Sequence, residues 1–197
     1  MNKAILRILL VSGLASFQAH AQGTVTFGNN SATALTNCMT LQRVVAGTTF
    51  LVGLYYLPDG PEPTREEMEL LGIRLGANAA IQPAAGLYAA GTRTTPATTP
   101  GGGFAWFQVR AWESAFGTTY DQAKNAGQIN GHFSLLGTSN IIRVKTGDPV
   151  NNIPPGALTA FGLQSFLVAQ LECIPEPTSI AIAALGLGAL LLFRRRK

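Results

Sequence analysis

The sequence predicts an all-β fold, an antiparallel β-sandwich with one or two short helices, lying between a removable leader and a single membrane-spanning tail. Three observations predict it: period-two apolar runs separated by turn clusters, a basic-apolar-small start, and an uncharged run closed by four cations. At 197 residues the chain has room for one core plus appendages.

The start reads MNKAILRILLVSGLASFQAHAQG. Lys3 and Arg7 open a basic leader, an apolar run follows from Ile8 to Phe17, and Ala19-His20-Ala21 supplies the small-x-small pattern cut by signal peptidase. A run of ten residues is too short for a hydrocarbon core of about 30 Å. Residues 1–21 therefore read as a cleaved signal peptide, with Ala19 and Ala21 marking the cleavage site. The body, 22–174, then faces an oxidising compartment.

Period-two alternation runs through that body. GTVTFGNN sets Val25 and Phe27 against Thr24 and Thr26. GTTFLVGLYYLPDG places Phe50, Val52, Leu54 and Tyr56 on one face and ends in a Pro-Asp-Gly turn. GGGFAWFQVRAW alternates Ala105, Phe107, Val109 and Ala111 against Trp106, Gln108, Arg110 and Trp112. SNIIRVKTGDP offers Ile142 and Val144 opposite Arg143 and Lys145, and a last strand is expected over 164–171. Two helices interrupt the strands. Thr64 and Glu67 form a capping box ahead of Met68, Leu70 and Leu71, and TTYDQAKNAG predicts a short helix from Tyr120 to Asn125. RTTPATTPGGG, 93–103, reads as a flexible hairpin connection or linker.

Charge excludes one class of partner. The formal +4 of the whole chain comes from its two ends; between residues 22 and 174, eight cations face nine anions, a net of −1. The cations stand singly, so the body has no basic patch and nucleic-acid binding is not expected. Cys38 and Cys173 lie near the two ends of the body. A bridge between them would close a loop of some 135 residues, worth roughly 4 to 5 kcal/mol. A disulfide and two separately buried thiols are both compatible with the sequence.

The tail reads PEPTSIAIAALGLGALLLFRRRK. From Thr178 to Phe193 it carries no charge, and sixteen residues of helix span about 24 Å. That is enough for a short span once the flanking arginine snorkels and the bilayer thins. Arg194, Arg195, Arg196 and Lys197 belong on the cytoplasmic side. The topology expected is body outside, one helix in the inner membrane and basic tip inside.

The order Pro175-Glu176-Pro177, apolar helix, basic end resembles the PEP-CTERM sorting signal of Gram-negative bacteria. The resemblance implies processing by an exosortase, an integral-membrane cysteine transpeptidase, at the tripeptide, and delivery to the cell surface or the extracellular polymeric matrix. VRAWESAFGTTYDQA with the later GTSNIIRVKTG is also similar to the β-rich ectodomains of such proteins in Verrucomicrobia-like bacteria; this implies architecture and address, not activity. The second Pro61-Glu62-Pro63 precedes the charged TREEMELLG and is not expected to act as a signal. Pro175 and Pro177 remove two backbone donors and favour an extended, accessible segment. A tail that is simply a permanent anchor remains the alternative.

No catalytic constellation is expected. His132 is the body's only histidine, no Gly-x-Ser-x-Gly elbow occurs, and no Asp-x-Asp-x-Asp array points to calcium. Neither a cofactor nor a metal is expected. Trp106 and Trp112, six apart on one strand, share a face; exposed, they would stack on sugar rings and make the body a polysaccharide-binding module. The other reading places them beneath a second layer of the fold.

Overall fold

The computed structural model describes residues 22–170. The signal peptide, Cys173, the Pro175–Pro177 motif, the expected span and the basic tip all lie outside the described residues. Eleven strands and two helices make up the described body, with three short 3-10 turns between them.

The centre of the molecule is one antiparallel pair. β3 (Gly47–Pro58) and β7 (Phe104–Glu113) align over nine residue pairs, from Phe50 opposite Glu113 to Pro58 opposite Ala105. β4 (Ile73–Arg74) and β5 (Ala79–Ile81) share the outer edge of β3. The outer edge of β7 is shared by β8 (Leu136–Thr138) and β9 (Ile142–Lys145). These six strands form the large sheet. β1 (Thr24–Gly28), with β6 (Ala89–Thr94) on one side and β10 (Gly156–Ala157) on the other, forms a three-stranded sheet. β2 (Thr36–Asn37) and β11 (Leu167–Val168) form a short pair. The fold is mostly strand, as the alternation requires.

Val25 and Phe27 of β1 share one core with Phe50, Val52, Leu54 and Tyr56 of β3, Ala105, Phe107, Val109 and Ala111 of β7, and Ile142 and Val144 of β9. Each of these sets is an every-second-residue set, so a strand with one face toward this core selects it automatically. Apolar burial of this kind contributes about 25 cal/mol per Å² and is the main stabilising term.

Both helices begin where their capping boxes place them. α1 (Arg65–Leu71) starts after Thr64, whose Oγ1 accepts from the Glu67 amide at 3.1 Å while Glu67 Oε2 accepts from the Thr64 amide at 2.8 Å. α2 (Tyr120–Asn125) starts after Thr119 in the same way, with Gln122 returning the bond.

Three expectations need correction. The pairing is not antiparallel throughout: β1 with β10 and β2 with β11 run parallel, because long returns bring late segments back beside early ones. Among the described residues the last strand, expected over 164–171, shrinks to Leu167–Val168, since 164–166 is irregular chain and Ala169 makes only an isolated bridge to Leu136. The stretch 93–103 is not a flexible linker. Thr95 and Thr99 are each 1% exposed; Thr95 Oγ1 donates to the carbonyls of Gly23 and Thr99, and the Tyr56 hydroxyl meets Thr99 Oγ1 at 2.7 Å. Threonines and prolines that resemble linker composition here tie β1 to the large sheet.

Candidate functional site

The outward face of β7 holds the most unusual group in the body. Arg110 is 1% exposed, with Gln108 and Trp112 buried beside it on the same face. Its Nε donates to Gln108 Oε1 at 2.9 Å, Nη2 donates to the Met68 carbonyl, and Nη1 donates to the Glu69 carbonyl at 3.5 Å. The guanidinium lies 3.8 Å from the centre of the Tyr55 ring and 5.5 Å from that of Tyr120. Among the described residues no carboxylate hydrogen-bonds it. Its charge is balanced by the terminal carbonyls of α1, where a helix presents its negative end, by two aromatic faces, and at longer range by the carboxylates of Asp121 and Glu69. Burial lowers the Arg110 pKa from its ordinary value. Burial likewise raises that of Tyr55 and pushes Tyr120 up to about 12.

The second core forms around it. Trp112 is fully buried, donates Nε1–H to the Gly117 carbonyl at 3.0 Å, and meets Tyr120 edge-on at 6.4 Å. Tyr55, Phe116 and Ala123 complete this cluster. Gly117 sits at φ 151, and a Cβ there would strike Gln122, so glycine is required where the chain turns into α2. The arrangement docks helices on a sheet. With its guanidinium enclosed and its donors aimed at protein carbonyls, Arg110 is a structural group.

The expected glycan-stacking pair is thereby corrected. Trp112 has no exposed face, because α2 and the turn before it cover this end of the strand. Trp106 is half-buried and donates Nε1–H to the Gly60 carbonyl at 3.1 Å. Six residues on one strand share a side, but they do not share an environment.

Open grooves border this face. One, of about 520 Å³, is lined by Glu62, Pro63, Arg65, Gln108 and the 138–141 segment, and Arg65 Nη2 crosses to Thr138 Oγ1 at 3.0 Å. Two residues of the mid-chain Pro61-Glu62-Pro63, Glu62 and Pro63, thus line a groove of the folded body. Another, of about 390 Å³, lies between α1 and α2, where Lys124 pairs with Glu69.

The remaining polar candidates are occupied by local structure. His132 Nε2 stands 3.8 Å from Glu113 Oε2, but that oxygen accepts the Leu135 amide at 2.9 Å, and the ring packs edge-on against Phe116 at 5.3 Å. Asp148 accepts from the amides of Val150 and Asn151 and from the Asn151 side chain, an Asx turn that lowers its pKa. Among the described residues, no three of His, Cys, Asp and Glu gather as metal ligands. Cys38 is half-buried at the end of β2, and its amide donates to the Val168 carbonyl at 3.0 Å; its expected partner, Cys173, lies outside the described residues.

Asp59 and Arg143 form a bidentate pair, with Nε and Nη2 each 2.8 Å from a carboxylate oxygen, and the guanidinium lies 4.5 Å over Phe104. The hydrogen bond from Arg143 holds the Asp59 pKa below its usual value. A lowered folded-state pKa contributes stability that is present above the unfolded value and lost as pH falls through the folded one. Asp59→Asn is therefore expected to change stability little near pH 7 and to flatten its decline below about pH 4, measured by urea unfolding across a pH series.

The sequence did not single out Arg110 as a buried centre. The signal was present: a charge flanked by Gln and two Trp on the face opposite the apolar set, with two capping boxes nearby to supply covering helices.

Comparison with known families identifies one segment. Residues 174–197 match the PEP-CTERM protein-sorting motif. Neither a curated protein nor a solved structure matches the chain. A motif of this kind implies exosortase-dependent sorting of a secreted protein, with membrane-associated delivery to the cell surface. Among the described residues no helix is long and apolar enough to cross a membrane. The span expected at 178–193 lies outside them.

Proposed function

We propose that this chain is a non-catalytic exported cargo whose β-rich body, a sandwich of the small sheet over the large one, is carried to the cell surface or extracellular matrix. The leader ending at Ala21 takes it across the inner membrane. Residues 178–193 then hold it there with Arg194–Lys197 inside, and an exosortase acts at Pro175-Glu176-Pro177. The sorting motif at 174–197 carries this reading. Two prolines around one carboxylate suit recognition of an extended segment just outside the bilayer. What supports a non-catalytic body is the use of its polar groups: Arg110 docks α1, Glu113 holds the 132–135 turn, and Asp148 closes its own loop. Trp106 remains half-buried on β7, two residues before the groove-lining Gln108, and surface polysaccharide is a partner to test there.

The test is intact mass and fractionation in cells with and without an exosortase. The expected result is loss of the tail and release from the inner membrane only where the enzyme is present. Pro175→Ala with Pro177→Ala is expected to leave the tail attached in both strains. A species running from Gln22 to Lys197, membrane-held in both strains even for the unaltered chain, would establish a permanent anchor instead.

A further inference from the structure

Two segments distant in sequence leave the body at one place. β2 and β11 pair parallel, Leu167 opposite Thr36 and Val168 opposite Asn37, so both chains run out of the pairing at the same end. One continues into Cys38-Met39-Thr40-Leu41. The other continues through Ala169 and Gln170 toward the uncharged run that starts at Thr178. The bond from the Cys38 amide to the Val168 carbonyl fastens the two exits together.

The loop after β2 is a structured hairpin. Asn37 Oδ1 accepts from the amides of Met39 at 2.8 Å and Thr40 at 3.4 Å, and the Leu41 amide donates to the Asn37 carbonyl at 2.9 Å. What this hairpin displays is apolar. Met39 is 65% exposed and Leu41 77%, and Leu167 of the adjoining β11, opposite Thr36, is 50% exposed. Leu41 is held at φ 55, a left-handed conformation that costs a leucine energy. Strain spent on putting a large apolar side chain into water points to a surface that meets something other than water. Arg43, opposite Thr36 on the returning arm, places an exposed cation on the same face as Leu167; its Nη2 donates to the Ser31 carbonyl at 3.2 Å. Apolar side chains at a tip with a cation behind them match the interface of an anionic bilayer, acyl boundary beneath and phosphate above.

We propose that the Met39–Leu41 tip, flanked by Leu167 and Arg43, docks the body onto the outer face of the bilayer that anchors its own tail. The proposal rests on reading 178–193 as a membrane span. Only residues 171–177 separate the described body from that run, and seven residues reach at most about 25 Å. The tip therefore stays within reach of the membrane surface, and tethering raises its effective concentration there to roughly the millimolar range, so a few side chains suffice. A second exposed apolar cluster, Leu70, Leu71 and Ile73, borders β4. It lies across β3, β7, β8 and β11 from β2, five strand spacings or about 24 Å away, and serves as the control surface.

The experiment uses the leaderless chain, Gln22 to Lys197, reconstituted in phosphatidylethanolamine–phosphatidylglycerol vesicles whose acyl chains carry bromine, a short-range quencher of tryptophan. Leu41→Trp and, as a second reporter, Met39→Trp are compared with Leu70→Trp and with the unaltered chain, whose Trp106 and Trp112 supply a common background. Quenching of the new tryptophan at 41 or 39 is expected to exceed that at 70 by about two-fold or more. Equal quenching at all three positions, in vesicles that retain the protein after carbonate extraction, overturns docking and leaves the anchor standing. Loss of the protein from the vesicles on extraction overturns the anchor itself, and docking with it.

Discussion

Trp112→Ala is expected to lower the unfolding free energy by about 3 to 5 kcal/mol, a large share of what a domain of this size possesses. The side chain is fully buried, so its removal deletes apolar area and leaves a cavity under α2. It also strips the Gly117 carbonyl of its indole donor and Tyr120 of its edge-on partner. Collapse into the cavity is resisted because the β3–β7 pairing fixes the sheet beneath it over nine residue pairs. Trp106→Ala on the same strand is the contrast: a half-buried ring with one bond to Gly60, it is expected to cost about 1 kcal/mol. Urea unfolding followed by far-ultraviolet circular dichroism measures both. Equal effects would mean that the two rings share one environment, contrary to the second core.

Arg110→Ala is expected to cost about 3 to 4 kcal/mol, through a cavity and through carbonyl and amide oxygens left without their donor. The Met68 carbonyl keeps the Gly72 amide at 3.0 Å, whereas Gln108 Oε1 and the Glu69 carbonyl lose the guanidinium. Arg110→Met separates the two causes. It restores most of the volume against Tyr55 without the donors, and it avoids the desolvation of a buried cation, so it is expected to lose only about half as much. Hydrogen exchange of the α1 amides supplies a second readout: faster exchange there, with β3 and β7 unchanged, is expected if Arg110 fastens that helix. Uniform acceleration throughout the body would show instead that the residue supports the fold as a whole.

These two side chains mark where sequence reading reaches its limit. The alternation of β7 correctly separated Ala105, Phe107, Val109 and Ala111 from the outward set, because a strand alternates whatever it packs against. It left open whether the outward set faces water or a second layer. That depends on where α1 and α2 land, and nothing within β7 encodes their landing place. Helix α1 was legible because a capping box is local, a hydroxyl and a carboxyl three residues apart, and α2 because its short polar stretch ends at a glycine, Gly127. Strands β2, β4, β8 and β10 were illegible for the opposite reason. Two or three residues long, they carry too little alternation to detect, and they are strands only because another segment supplies their hydrogen-bond partners.

Address and architecture thus separate by range. The sorting motif at 174–197 was readable from the sequence by itself, since such a segment is recognised by length, charge and order alone; the leader and the span are expectations drawn from the same local features. The periodicity of the long strands and the starts of both helices were readable for the same local reason. Tertiary structure alone decided the burial of Trp112, the enclosure of Arg110 and the ordering of the 93–103 stretch. It alone brought Leu41 beside the exit of the last strand. Those outcomes depend on contacts between residues dozens of positions apart, and the free energy of such contacts is set by which surfaces meet, a quantity that no single segment contains.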